Sequence, residues 1–94
     1  MNHAEALALL EASLNRRRSL PYEELVRRVD AGPECQEAHG ASGANYQLEF
    51  TAMWDGPPLG NIRVMGAVDD GGLRAFAPLT LSFIKAADGG FVGE

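Results

Sequence analysis

The glycines divide this chain into two unequal parts. All eleven lie after residue 31. Glycine weakens a helix interior by about 1 kcal/mol relative to alanine, so the glycine-free first third is suited to helices. The hydrophobic period also changes, from helical spacing before Pro33 to alternation afterwards. This division predicts a helical N-terminal part followed by a β-sheet.

The first third predicts two amphipathic helices. Asn2 is a good capping residue for the first, which we expect to run to about Arg18. Its apolar positions fall on one stripe: Leu7, Leu10 and Leu14. Pro21 can open the second helix, which we expect to end near Asp30. Its apolar residues form a second stripe: Tyr22, Leu25, Val26 and Val29.

Alternating apolar residues predict the strands. The clearest segment is residues 45–54, and the others are 34–40, 62–68, 73–77, 82–86 and 91–92. Asp70-Gly71 is a typical hairpin turn, which predicts that residues 73–77 pair with the strand before them. Pro78 lacks an N–H group, so we expect residues 78–80 to interrupt the sheet. A last hairpin is expected around Asp88-Gly89.

Side-chain parity predicts the register, because a one-residue slip would turn every apolar side chain to the other face. Pairing Trp54 with Ile62 places Phe50 opposite Gly66, where the bare backbone makes room for the ring. Pairing Val68 with Leu73 then places Gly66 opposite Ala75, and Val64 opposite Ala77. We therefore expect a single α+β domain over residues 1–94, with the two helices on one face of an antiparallel meander of four to five strands.

The same register predicts a second sheet face with an apolar patch. Met65 would lie between Thr51 and Phe76. The predicted interaction surface contains Met53, Arg63, Met65, Arg74 and Phe76. Methionine and aromatic side chains on such a face are typical of interfaces. Alternatively, residues 79–94 fold back over this face and bury it.

The charge distribution argues against nucleic-acid binding. Residues 34–94 carry eight acids against three basic residues, which accounts for the whole net charge of −5. The basic run 16–18 projects in three directions, about 100° apart, and is expected to be a solvated helix end. No apolar run approaches the ~18 residues of a membrane helix. A single cysteine and no secretion signal are typical of a bacterial cytoplasmic protein.

Chemistry-bearing residues do not form a recognisable catalytic or metal motif. Cys35 and His39 would lie about 13 Å apart along a strand, too far to form a nucleophile–base pair. We predict no catalytic residue, metal or cofactor, and favour a non-enzymatic module that binds another protein or a second copy of itself. The alternative is a small enzyme or ligand-binding domain with a pocket between helices and sheet, formed by Tyr22, His39, Trp54 and Asp69.

The second half of the chain contains four distinctive strings. They are DDGG at residues 69–72, RAF-x-PL at 74–79, SFI at 82–84 and DG-x-FVGE at 88–94. In their spacing they resemble a small bacterial family classed as a domain of unknown function. The resemblance implies a standalone helix-plus-sheet domain and assigns no chemistry to any residue.

Overall fold

The helices and strands follow the order expected from the sequence. The computed structural model describes residues 2–70 and 79–93. Within these ranges the elements are α1 (His3–Arg18), α2 (Tyr22–Val29), β1 (Glu34–His39), β2 (Asn45–Trp54), β3 (Ile62–Asp69) and β4 (Leu79–Lys85). The strands form one antiparallel sheet in the order β1-β2-β3-β4. Both helices pack on one face of it, α1 against β3 and β4 and α2 against β2, which confirms the α+β architecture.

The predicted register of β2 and β3 is confirmed. Trp54 pairs with Ile62 and Phe50 pairs with Gly66. A Cβ atom on Gly66 would lie 2.9 Å from the Phe50 ring and 2.9 Å from a methyl group of Leu10 on α1. The close approach of helix, ring and strand therefore depends on glycine at this position. The predicted cap of α1 is also present: Asn2 Oδ1 accepts a hydrogen bond of 3.1 Å from the Glu5 N–H.

The strand beside β3 differs from the one expected. Segment 73–77 lies outside the described residues, and the positions foreseen for Ala75 and Ala77 are held by Leu81 and Phe83 of β4. The predicted interruption at residues 78–80 is also wrong in part, because β4 begins at Leu79. In both segments the alternating apolar residues have odd numbers, so alternation alone does not distinguish them.

Residues 79–85 extend the sheet instead of covering its second face. Beyond β4 the chain turns at residues 87–89 and forms a single bridge from Phe91 to Lys85, which confirms the last hairpin in its shortest form. The Val92 N–H donates to Ile84 O at 2.9 Å on the outer edge of β4. These residues therefore pair along one end of that edge.

Lys85 is an unexpected residue on the helix-packed face of β4. The residue is only 8% exposed. Its ammonium group donates to two carbonyl oxygens at the C-terminal end of α1 and just after it, Arg18 O at 3.0 Å and Leu20 O at 2.7 Å. Lys85 thus ties the α1–α2 connection to the last strand. No helix in the described ranges is both long and apolar enough to cross a membrane.

Candidate functional site

The sheet has one face that neither helix covers, here called the open face. It consists of the side chains whose parity opposes that of the core: Cys35, Glu37, His39, Asn45, Gln47, Glu49, Thr51, Met53, Arg63, Met65, Ala67, Asp69, Thr80, Ser82 and Ile84. In the part of the chain that the structure describes, no helix and no second sheet lies over it. In these ranges the side chains of four strands therefore form one uncovered surface.

The side chains of the open face change in character from one end of the strands to the other. At one end Met53, Arg63 and Ile84 lie side by side on three strands, and Met65 lies in the next row. Both methionines are 37% exposed. Towards the other end the charged residues are acidic, namely Glu37, Glu49 and Asp69. An apolar end with one cation thus adjoins an acidic end.

Three of the five predicted surface residues lie together at the apolar end. Met53 pairs directly with Arg63, and Met65 pairs with Thr51. The Arg63 guanidinium bonds to Asp55 at 3.3 Å and to Ser82 at 3.2 Å, which fixes it along the face. Arg74 and Phe76 lie outside the described residues. The position opposite Met65, where Phe76 was expected, is held by Ser82 of β4.

The four residues of the alternative pocket are not brought together. His39 pairs with Asn45 at one end of the sheet, and Asp69 pairs with Gln47 near the same end. Trp54 is at the other end of β2, about 30 Å away along the strand. The Tyr22 hydroxyl donates to Gly60 O at 2.7 Å in the adjoining loop, so it too lies far from His39.

Cys35 and His39 share the open face of β1 but do not approach each other. Their neighbours across the sheet are Glu49 and Asn45, respectively. The His39 ring hydrogen-bonds to the Asn45 side chain. In the residues described, no group of three His, Cys, Asp or Glu side chains has the arrangement needed to hold a metal ion. The geometry of this strand therefore offers no assembled catalytic pair.

A cavity of about 310 Å³ lies between α2 and the first two strands. We call it the Arg17 cavity. Its apolar wall is formed by Leu25, Phe50, Ala52 and Val64, and its polar wall by Arg17, Arg28 and Glu34. The connecting residues 31–33 close one side. A volume of this size is at the lower end of the range for ligand sites.

The Arg17 guanidinium is held inside the fold. It lies 3.6 Å from the centre of the Phe50 ring, a cation–π contact, and its side chain is only 11% exposed. Nη1 donates to Ser13 O at 3.0 Å and Nη2 bonds to Glu34, whereas the buried Nε has no hydrogen-bond partner among the described residues. Arg28 bonds to the same Glu34 oxygen at 3.2 Å. The hydrogen bond from Arg17, with Arg28 nearby, holds the pKa of the Glu34 carboxyl below its ordinary value.

The prediction that the arginines of run 16–18 lie in solvent is wrong for Arg17, whose side chain is largely buried. A signal was present, because Leu10, Leu14 and Arg17 are spaced i, i+4, i+7 and so continue one stripe of α1. A long arginine stem can lie on apolar surface while its guanidinium reaches a carboxylate. That carboxylate, Glu34, is distant in sequence and gave no local indication.

Comparison with known proteins identifies no family for this chain. No family model, curated protein or solved structure matches it. The candidate functional features of this chain are therefore two parts of its own geometry, the open face and the Arg17 cavity.

Proposed function

We propose that this chain is a non-enzymatic protein-interaction module that binds a second copy of itself through the open face. The observation that carries the proposal is the apolar end of that face, where Met53, Met65 and Ile84 lie on adjacent strands and neither helix covers them. Exposed apolar groups bounded by charged residues are typical of protein interfaces. A cytoplasmic location is part of the proposal, because the exposed Cys35 thiol would stay reduced there.

The area of the open face supports a weak, reversible dimer. Four strands spaced ~4.8 Å apart, with about eight residues along each, give a surface of roughly 500 Å² per copy. Two such faces would bury about 1,000 Å², the lower limit for a specific interface. We therefore expect association in the micromolar range rather than an obligate dimer.

The charges favour one orientation of the second copy. A two-fold axis parallel to the strands would place the acidic end of each copy over that of the other, which is repulsive. A two-fold axis across the strands, through the row of Thr51 and Met65, instead places the apolar end of each copy over the acidic end of the other. Arg63 of one copy then lies within one strand spacing of Glu49 of the second copy, and the methionines remain central.

Light scattering after size-exclusion chromatography tests the proposal between about 10 and 500 µM, a range suited to an interface of this size. The wild-type mass should rise towards that of a dimer with concentration. Met65→Asp should remain monomeric, because dimerisation would bury its carboxylate unpaired. Leu59→Asp is the matched control: Leu59 is an exposed apolar loop residue, and its replacement should leave association unchanged. Dimerisation of Met65→Asp at the wild-type concentration would contradict the proposal.

A charge exchange tests the orientation separately. Arg63→Glu should weaken association, and adding Glu49→Arg should restore it, since the exchanged pair still has opposite signs. Both variants need a wild-type circular dichroism spectrum, because Arg63 also bonds to Asp55 within the chain. Association by the double variant no stronger than by Arg63→Glu would exclude the axis across the strands.

A further inference from the structure

The last four residues of β2 have a strand on only one side. β1 begins at Glu34, which pairs with Phe50, whereas β2 continues to Trp54. The chain turns away before Glu34, because Gly32 adopts a positive φ of 82° and Pro33 follows it. The edge of residues 51–54 that faces away from β3 is here called the open edge. Among the described residues no strand pairs with it.

The backbone groups that face the open edge can be identified from the hydrogen-bond pattern. In an antiparallel sheet, successive residues direct their N–H and C=O groups to alternate sides. The Asp55 N–H donates to Asn61 O at 2.8 Å, so odd-numbered residues of β2 face β3. The Gly40 N–H donates to Ala44 O at 2.9 Å, so even-numbered residues face β1. Ala52 and Trp54 therefore direct their backbone groups to the open edge, where the described residues provide no backbone partner.

The Arg17 cavity lies next to this edge. Side chains of paired residues point to the same face of an antiparallel sheet. A residue added opposite Ala52 would therefore direct its side chain to the helix-packed face, where Leu25, Phe50 and Val64 line the cavity. The cavity thus offers an apolar site for one large side chain of an added strand.

The charges in the cavity select the direction of that strand. Arg17 and Arg28 share the carboxylate of Glu34, and Arg28 also lies 3.9 Å from Glu24, which pairs with Arg27. The three arginines and two carboxylates of this group carry a formal charge of +1 in a chain of net charge −5. An antiparallel strand opposite Ala52 runs with its carboxyl end towards Glu34 and the two arginines. A parallel strand would instead bring its amino end there. A free C-terminal carboxylate matches this charge, and its oxygens can accept hydrogen bonds from the guanidinium groups.

We infer that the open edge and the Arg17 cavity form a binding site for the C-terminus of a partner protein, added as a short antiparallel strand. The partner's last residue pairs with Ala52 and places a large apolar side chain in the cavity. Its terminal carboxylate lies by Arg28 and Arg17, and the residue two positions earlier pairs with Trp54. Strand addition of this kind combines backbone hydrogen bonds for affinity with a side-chain pocket for specificity. The site uses the backbone edge of β2 and the helix-packed face, whereas self-association uses side chains of the open face, so this inference does not depend on self-association.

The first test is a titration of ¹⁵N-labelled protein followed by NMR. The probes are acetyl-Gly-Thr-Val-Leu and its Phe, Met and Ala analogues, each as the free acid and as the C-terminal amide, to about 1 mM. The free acids with large last residues should shift the amides of Ala52 and Trp54. The matching amides should bind at least about tenfold more weakly, since they lose the charge-assisted hydrogen bonds. No shift at either amide with any free acid, or equal binding of acid and amide, would overturn the inference.

Two test variants, one control variant and a small-molecule probe complete the test. Ala52→Pro removes the N–H that faces the open edge but no hydrogen bond to β3, so it should fold and lose peptide binding. Arg28→Met should weaken binding of the free acid about tenfold or more, whereas Arg27→Met, at the adjacent exposed position, should not change it. Wild-type binding by either Ala52→Pro or Arg28→Met would contradict the site. Isovalerate reproducing the full pattern of shifts would assign the cavity to small carboxylates and exclude strand addition.

Discussion

Replacement of Lys85 by methionine should destabilise this fold more than replacement of any exposed cation. Lys85 is buried on β4, and its ammonium group donates to the carbonyls of Arg18 and Leu20. Methionine keeps a similar apolar length but leaves both carbonyls without this donor. A hydrogen bond to a charged group contributes about 1.5–3 kcal/mol. The loss of two such hydrogen bonds is partly offset, because methionine carries no charge that must be desolvated when the chain folds.

The expected net loss in the free energy of unfolding for Lys85→Met is therefore about 2–3 kcal/mol. For a domain of this length each kcal/mol lowers Tm by roughly 4–8 °C, so a decrease of about 10–20 °C is expected. Urea unfolding followed by the fluorescence of Trp54, the only tryptophan, measures the free energy. Arg27→Met is the matched control, because Arg27 is an exposed cation paired on one helix and should cost less than about 1 kcal/mol.

Salt distinguishes the loss of the two Lys85 hydrogen bonds from a general effect of net charge. Removing any cation makes this acidic chain more negative, and that repulsion is screened at about 1 M NaCl, where the Debye length is ~3 Å. The stability lost with the buried Lys85 hydrogen bonds should remain lost at high salt. If Lys85→Met lowers the free energy of unfolding no more than Arg27→Met, or if the difference disappears in 1 M NaCl, the stabilising role of the Lys85 hydrogen bonds is refuted.

Three further predictions follow from close contacts and perturbed groups. Gly66→Ala should destabilise the fold by about 1–3 kcal/mol in urea, because its Cβ would lie 2.9 Å from both Leu10 and Phe50; a stability equal to wild type would contradict the close approach. The lowered pKa of Glu34 means that the unfolded chain takes up this proton at higher pH than the folded chain. The stabilisation by Glu34 is therefore present above the ordinary pKa of ~4.3 and is lost as pH falls through the lower pKa of the folded state. Between pH ~5 and ~3 the free energy of unfolding of the wild type should thus fall more steeply than that of Glu34→Gln. Parallel pH profiles of the two proteins would argue against the Arg17 contact. Burial raises the pKa of the Tyr46 phenol, with the neighbouring Glu5 adding to the effect. In Tyr22→Phe, where Tyr46 is the only tyrosine, phenolate absorbance at 295 nm should be below half of its full value at pH ~10 while the chain is folded; a midpoint near 10 would place the hydroxyl in solvent.

Local patterns predicted most of the elements and one complete strand pairing. The cap at Asn2 and the turn at Pro21 involve residues adjacent in sequence, so their effect is visible in the sequence. The register of β2 and β3 followed from parity together with the place of one glycine. A one-residue slip would turn Phe50 and Val64 to the other face, and a two-residue slip would remove Gly66 from its place opposite the Phe50 ring. The interaction and ligand-binding roles are not tested by these agreements and stay predictions.

The partner of β3 could not be predicted in the same way. Leu73, Ala75 and Ala77 have the same parity as Leu79, Leu81 and Phe83, so either set satisfies the apolar face. The turn signal at residues 70–71 favoured the nearer segment. The structure pairs β3 with β4 instead, which brings the larger side chains of Leu81 and Phe83 to the helix-packed face. That choice depends on the volume to be filled between sheet and helices, a property that no single segment carries.

The sequence by itself determined where both helices and strands β1, β2 and β3 lie and which side of each faces the core, because both follow from spacing along one segment. Only the tertiary structure decided what the polar groups on those inward sides do. Lys85 meets the end of α1, and Arg17 meets Glu34 over the ring of Phe50. These contacts join residues far apart in sequence, so their energies exist only once the layers have packed. In the described part of the chain, the same packing leaves the open face and the open edge without a covering helix or strand.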